Sequence, residues 1–83
     1  MRVNLTHHFK TRSNERNVFV SIKDIKNAFA DATDGEYFII PENGVFVPAV
    51  VSGNKMFLKT IVINPTKDVY KLAKRDNAKV IVL

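Results

Sequence analysis

The dipeptide Asn43-Gly44, which stands between two stretches rich in β-branched and aromatic residues, constrains the fold more than any other feature. Asn-Gly is the strongest short-range signal of a two-residue β-hairpin turn. We therefore predict a strand over residues 36–40, a tight turn, and a returning strand over residues 45–51. Pro48 has no amide hydrogen to donate to a ladder, which places the returning strand at a sheet edge or at a bulge.

A third strand is predicted after the Ser52-Gly53-Asn54 turn, with successive side chains on opposite faces of the sheet. On this prediction Lys59 shares a face with apolar side chains, either as a snorkelling lysine or as a functional one. The strand runs over residues 56–63, with Met56, Leu58, Thr60 and Val62 on one face and Phe57, Lys59, Ile61 and Ile63 on the other.

Capping residues mark two helices in the first third of the chain. The hydroxyl of Thr6 can accept a hydrogen bond from a free amide of a first turn, so a helix is predicted from there to Arg16. Asn17 tolerates the left-handed conformation of a helix C-cap. Ser21 followed by Asp24 resembles a capping box and starts a second helix.

The remaining elements complete an α+β domain. Residues 2–5 alternate and predict a first strand, while Asn64-Pro65 predicts the start of a third helix. The unbroken apolar run over residues 79–83 predicts a terminal strand inserted between neighbours. The order β-α-α-β-β-β-α-β predicts a single domain over residues 1–83, with a mainly antiparallel sheet and helices packed on one face.

The composition excludes several classes of protein. There is no cysteine, so disulfides and thiolate zinc sites are excluded, and a reducing, cytoplasmic location is expected. No apolar run is long enough to span a membrane, and no membrane partner is expected. His7 and His8 are adjacent and would diverge by about 100° on a helix, so we predict neither a metal site nor a cofactor.

The charge distribution favours a polyanionic partner. The net charge is +5, with six Lys/Arg against two Asp/Glu in residues 1–30, four acids alone in 31–54, and seven against two in 55–83. The two ends could form one basic face suited to nucleic acid, or to an acidic protein. The cations predicted to contact nucleic acid are Lys10, Lys55, Lys59, Lys71, Lys74 and Arg75.

A stripe of chemistry-bearing residues lies in the first predicted helix. His8, Arg12 and Arg16 recur every fourth residue, so each is offset by about 40° from the last around the helix axis. An imidazole and two guanidiniums on one stripe suit a phosphate group.

The pattern H-x-x-x-R-x-x-x-R-N formed by this stripe and Asn17 is followed by V-S-x-x-D-I-x-x-A and by K-T-I-V-I. Over residues 5–63 this combination resembles small domains related to BrnT and, more distantly, RelE-type toxins, in which glycine commonly stands at the position of Asn17. The resemblance implies a compact RelE-like fold, and its catalytic relatives cut RNA by attack of the 2′-OH on the adjacent phosphate. It assigns catalytic roles to His8, as a proton-transfer group, and to Arg12 and Arg16, as stabilisers of the phosphorane. An antitoxin would then be the acidic protein partner.

Two functions are therefore predicted. The first is a small basic RNA-binding protein, with RNA favoured over DNA, acting as a metal-independent endoribonuclease toxin if the resemblance extends to catalysis. Lys59, Tyr70 and Lys74 would then supply supporting contacts. The alternative is a non-catalytic regulator or inhibitor that docks a basic face on an acidic protein or on DNA. A homodimer built on the third or the terminal strand is compatible with both.

Overall fold

The computed structural model describes residues 1–63 and 68–83, and its elements follow the predicted order with one addition. The predicted third strand is divided into two short strands. The elements are β1 (Arg2–Leu5), α1 (His7–Arg16), α2 (Ile22–Ala28), β2 (Gly35–Glu42), β3 (Val45–Ser52), β4 (Lys55–Leu58), β5 (Val62–Ile63), α3 (Val69–Arg75) and β6 (Lys79–Val82).

All six strands join one mixed sheet in the order β1-β4-β3-β2-β6, with β5 paired to β3. The β2-β3, β3-β4 and β3-β5 pairs are antiparallel, whereas β1-β4 and β2-β6 are parallel. The prediction of a mainly antiparallel sheet is therefore only partly right. Both parallel pairs involve a strand that reaches the sheet through a long connection containing helix, as parallel pairing requires.

The prediction that the terminal strand lies between neighbours is wrong. Among the described strands β6 pairs with β2 alone and lies at an edge of the sheet. The apolar run of β6 has a different cause. The strand is partly buried on both faces, because Val80 packs on one side of the sheet and Ile81 on the other.

Helices cover both faces of the sheet, contrary to the prediction that they share one face. Alternate residues of β2 enter two separate cores, so both faces of this strand are apolar and each needs a cover. The first core, beneath α1 and α2, contains Phe9, Val18, Ile25, Phe29, Tyr37, Ile39, Val45, Val47, Ala49, Val51, Met56, Leu58 and Ile61. The second core, beneath α3, contains Phe38, Phe46 and Ala73.

The predicted alternation over residues 56–63 fails after Leu58. Met56 and Leu58 enter the first core as expected, but the next buried residue is Ile61 rather than Thr60. Pro48 lies opposite this interruption in the central strand β3, so the first of its two predicted positions, a sheet edge, is wrong. Its carbonyl accepts a hydrogen bond from the amide of Lys59 at 2.9 Å, but it has no amide to return one.

Thr6 compensates for this missing donor and also caps α1. Its hydroxyl lies 3.0 Å from the carbonyl oxygen of Lys59 and 2.8 Å from that of Leu58, and these two oxygens share its single donated proton. The same oxygen accepts from the amide of Phe9 at 3.1 Å, which confirms the predicted N-cap. One side chain therefore fixes the start of α1 to the end of β4.

The other predicted caps are confirmed where the structure describes them. Asn17 ends α1 with a left-handed φ of 52°, the conformation for which glycine is usual. The hydroxyl of Ser21 accepts from the amide of Asp24 at 3.2 Å. The predicted cap at Asn64-Pro65 lies outside the described residues, and α3 begins after Asp68, whose carboxylate accepts from the amide of Tyr70.

Candidate nucleic-acid interface

The stripe on α1 is formed, but both of its arginines bind other parts of the protein. His8 is exposed. Arg12 donates from Nη1 to Oε2 of Glu15 at 3.0 Å, one turn along the same helix. Arg16 donates from Nη1 to the carbonyl oxygen of Ile61 at 2.9 Å, which ties the end of α1 to the interruption between β4 and β5. The structure therefore gives Arg16 a clear structural role in addition to its predicted catalytic role.

We expect Arg16→Ala to lower the free energy of unfolding by about 1 kcal/mol, because the Ile61 carbonyl loses a charge-assisted hydrogen bond. Arg12→Ala is the matched control, because it removes the same atoms from the same helix. Its exposed ion pair with Glu15 contributes about 0.5 kcal/mol or less. Urea unfolding followed by circular dichroism measures both values. Equal losses in the two variants would contradict the structural role of Arg16.

The predicted basic face that joins the two ends of the chain is not formed by the helices. Helices α1 and α3 pack on opposite faces of the sheet, so their cations lie on opposite sides of the molecule. Lys10 belongs to α1, Lys55 begins β4, Lys59 follows β4, and Lys71, Lys74 and Arg75 belong to α3.

The face of the sheet on which α3 packs is only partly covered by helix among the described residues. Helix α3 packs mainly on β2 and β6. It therefore leaves β1, β4 and the adjoining part of β3 without a helix on this face. Strand alternation turns the side chains that do not enter the first core toward this side. We call this surface the open sheet face, and its residues are Arg2, Asn4, Val50, Lys55 and Phe57.

The open sheet face is ordered by the pairing of three strands. Asn4 is the register partner of Phe57, and Phe57 is that of Val50, so these three side chains form a row across the sheet. All three are partly exposed. An aromatic ring in such a row offers a flat apolar surface with an amide side chain beside it.

Two cations lie side by side in the next row. Arg2 and Lys55 are register partners in the parallel β1-β4 pair, and both are exposed. The three ion pairs found among residues 1–63 and 68–83 involve neither of them. Like charges on directly paired strand positions repel each other, so an anion bound between them would relieve an unfavourable interaction.

Lys59 and Arg75 lie farther along the same side of the sheet, in a groove of about 330 Å³ between α3 and the sheet. Both cations have carboxylate partners there. Lys59 Nζ is 3.1 Å from Oε1 of Glu36, and Arg75 Nε is 3.0 Å from Oδ1 of Asp76. Hydrogen bonding and then charge attraction from Asp76 raise the pKa of the exposed Arg75. The groove is therefore less attractive to a phosphate than the Arg2-Lys55 pair.

Sequence reasoning missed four of the five residues of the open sheet face. Lys55 was predicted to contact nucleic acid, whereas Arg2, Asn4, Val50 and Phe57 were not proposed as site residues. The alternation over residues 2–5 does place Arg2 and Asn4 on the polar side of a strand. It does not show that this strand pairs with β4, which is what brings them beside Lys55 and Phe57.

Two further features are absent among the described residues. No group of three His, Asp or Glu side chains lies close enough together to hold a metal ion. No helix there is long and apolar enough to cross a membrane.

Comparison of the chain with protein-family models, with curated proteins and with solved structures finds no match. The resemblance to BrnT and RelE-type domains therefore rests on the sequence motif alone, and the geometry of the site has to be interpreted from its own residues.

Proposed function

We propose that this protein binds RNA through the open sheet face, and that the bound segment is unpaired. The observation that carries the proposal is the pairing of Arg2 with Lys55, without a carboxylate partner among the described residues, in the row next to Phe57. Cations beside an accessible aromatic ring on a sheet match the two components of a single strand, phosphate and base.

Each residue of the open sheet face has a role in this proposal. Arg2 and Lys55 contact phosphate oxygens, and the guanidinium of Arg2 can do so through two parallel hydrogen bonds. A base stacks on Phe57. Val50, beside Phe57 in the same row, extends the apolar surface on which the base lies. The side-chain amide of Asn4, beside Phe57 in the register, can donate to and accept from the edge of that base.

The proposal departs in part from the prediction based on the α1 stripe. Of the six cations predicted to contact nucleic acid, Lys55 belongs to the open sheet face, while Lys59 and Arg75 border it with their charges paired to acids. The RelE-like fold, the cleavage roles of His8, Arg12 and Arg16, and a cytoplasmic antitoxin partner stay predictions of the resemblance. An acidic protein could use the same cations, but it would not require the aromatic ring.

The proposal is tested by fluorescence anisotropy with a labelled unpaired RNA of about 20 nucleotides, because a strand of that length exceeds the site of a small sheet-based binder. We expect micromolar binding that weakens steeply between about 50 and 200 mM salt, as counterion release requires. Phe57→Leu should weaken binding by about tenfold through loss of stacking. Phe19→Leu, at a ring that is 70% exposed on the α1-α2 connection, is the matched control and should bind normally.

Two results would contradict the proposal. One is the absence of binding at low salt and micromolar protein, and the other is equal affinity of the Phe57→Leu variant and the wild type. An unpaired DNA of the same sequence is the comparison for RNA preference, since the 2′-OH is the chemical difference between the two. An affinity pull-down with and without nuclease treatment separates RNA from an acidic protein as the bound partner.

A further inference from the structure

The outer edge of β6 has little of the protection that edge strands usually have, since the one charged residue of the strand is Lys79 at its start. Strand β1, at the other end of the sheet, carries Arg2 and Asn4. Strand β6 instead has three consecutive apolar residues, Val80 to Val82, and the Val82 residue is 62% exposed. Charges, prolines and bulges normally prevent such an edge from pairing with another chain. Beyond Lys79 the strand contains none of these, so Val80 to Val82 stay open to a further strand.

The backbone of β6 is oriented for pairing through Val80 and Val82. The amide of Leu83 donates to the carbonyl of Ile40 in β2 at 3.0 Å, so the backbone polar groups of Leu83 point into the sheet. Along a strand these groups alternate in direction, so Ile81 also bonds toward β2, while Val80 and Val82 point outward. Two outward residues therefore lie symmetrically about Ile81.

We infer that β6 pairs with β6 of a second copy of this chain, antiparallel and about a two-fold axis that passes beside Ile81. Val80 then lies opposite Val82 of the second copy, and each such pair exchanges two backbone hydrogen bonds. Ile81 lies opposite Ile81 of the second copy in the intervening pair without hydrogen bonds. In this register every outward-pointing backbone N–H and C=O of β6 forms a hydrogen bond with the second copy.

Self-complementarity favours a second copy over an unrelated strand. In this register the residues that face each other lie on the same face of the joined sheet, and all are apolar except Lys79. Lys79 lies opposite Leu83 rather than opposite the second Lys79, so no like charges are paired. A different partner would have to supply an apolar strand of matching register, which this chain already possesses.

Helix α3 adds apolar surface beside this edge. Tyr70 is 61% exposed, and α3 packs on β6 and β2. At 100° per residue Tyr70 lies about 140° around the helix from Arg75, which lines the groove, so it lies on the opposite flank. The two-fold axis places both α3 helices on one side of the joined sheet. An interface made by four strand residues alone would be small, and Tyr70 of each copy enlarges it.

The assembly is tested by sedimentation equilibrium of the full chain. We expect a dimer, and Val82→Pro should raise its dissociation constant by at least about tenfold, because each copy loses one outward amide and none of its bonds to β2. Val82→Thr keeps that amide and the branched shape, so it should dimerise normally. Circular dichroism checks that both variants fold. A monomer at near-millimolar concentration, or a dimer that Val82→Pro leaves intact, would overturn the inference.

The register is tested with single-cysteine variants, since the chain contains no cysteine of its own. Ile81→Cys should form a disulfide-linked dimer on mild oxidation, because a directly opposed pair without hydrogen bonds has Cα atoms about 4.5 Å apart. Val82→Cys should form little, although position 82 is more exposed, because it lies opposite residue 80 of the second copy. Cross-linking of Val82→Cys that equals or exceeds that of Ile81→Cys would exclude this register.

Discussion

Phe29→Ala is expected to remove about 3–5 kcal/mol of stability, the usual cost of truncating a fully buried phenylalanine. Phe29 has no solvent-exposed surface and packs edge-on against Tyr37, with ring centroids 4.9 Å apart. A domain of this size has a total stability of about 4–12 kcal/mol, so the variant should lose between about a quarter and all of its stability. The measurement is urea denaturation followed by far-ultraviolet circular dichroism.

Phe19→Ala is the matched control, since it deletes the same atoms ten residues earlier from a side chain that remains 70% exposed. Its unfolding free energy should differ from that of the wild type by about 0.5 kcal/mol or less. Comparable losses at the two positions would mean that the connection between α1 and α2 is packed differently from the structure described above.

The double charge reversal Arg2→Glu with Lys55→Glu is expected to weaken RNA binding by at least about 100-fold, since two phosphate contacts become repulsive. Lys23→Glu with Lys26→Glu is the control. Both of its lysines are exposed on α2, which lies over the other face of the sheet. Each double variant replaces two positive by two negative charges and changes the net charge from +5 to +1. Fluorescence anisotropy at one fixed salt concentration compares them.

The affinity of the control for RNA should fall by less than about tenfold. This fall measures the long-range attraction that depends on net charge alone. Equal losses would show that RNA is attracted by the overall charge and not by the open sheet face. A normal affinity of the Arg2→Glu, Lys55→Glu variant would remove this surface as the binding site, even if RNA binding itself is observed.

Features determined by neighbouring residues could be predicted from the sequence. The Asn43-Gly44 turn is confirmed by the β2-β3 hairpin and by a φ of 78° at Gly44. The caps at Thr6, Asn17 and Ser21 are confirmed as well, because each depends on a side chain or a backbone conformation within a few residues. The helix ending at Arg16 follows from these local signals.

Features that depend on distant partners could not be predicted in this way. The alternation in β2 does not reveal which of its apolar faces each helix covers, so α3 was placed on the wrong side of the sheet. The interruption after Leu58 depends on Pro48 and on a hydroxyl of Thr6, more than fifty residues earlier. No periodicity within residues 56–63 contains that information.

In the candidate site too, features set by neighbouring residues could be predicted and features set by distant partners could not. The helical spacing of His8, Arg12 and Arg16 was correct, but the contact of Arg16 with the carbonyl of Ile61 involves a residue 45 positions away. Arg2 and Phe57 lie on one surface because β1 pairs with β4, which are about fifty residues apart in the sequence. Residue types suggested that phosphate binding was plausible, whereas strand pairing determined that Arg2 and Lys55 lie side by side.

The parallel pairs at the two ends of the sheet also bear on the order in which the fold is acquired. The β2-β3-β4 meander closes short loops, whereas contacts at the outer strands span 52 residues at Thr6 and 46 at Lys79. Closing long loops costs entropy before any contact compensates for it, so the outer strands are expected to dock last during folding. The proposed RNA-binding surface and the proposed dimer edge both depend on these outer strands. A folding intermediate that contains only the meander would therefore possess neither activity.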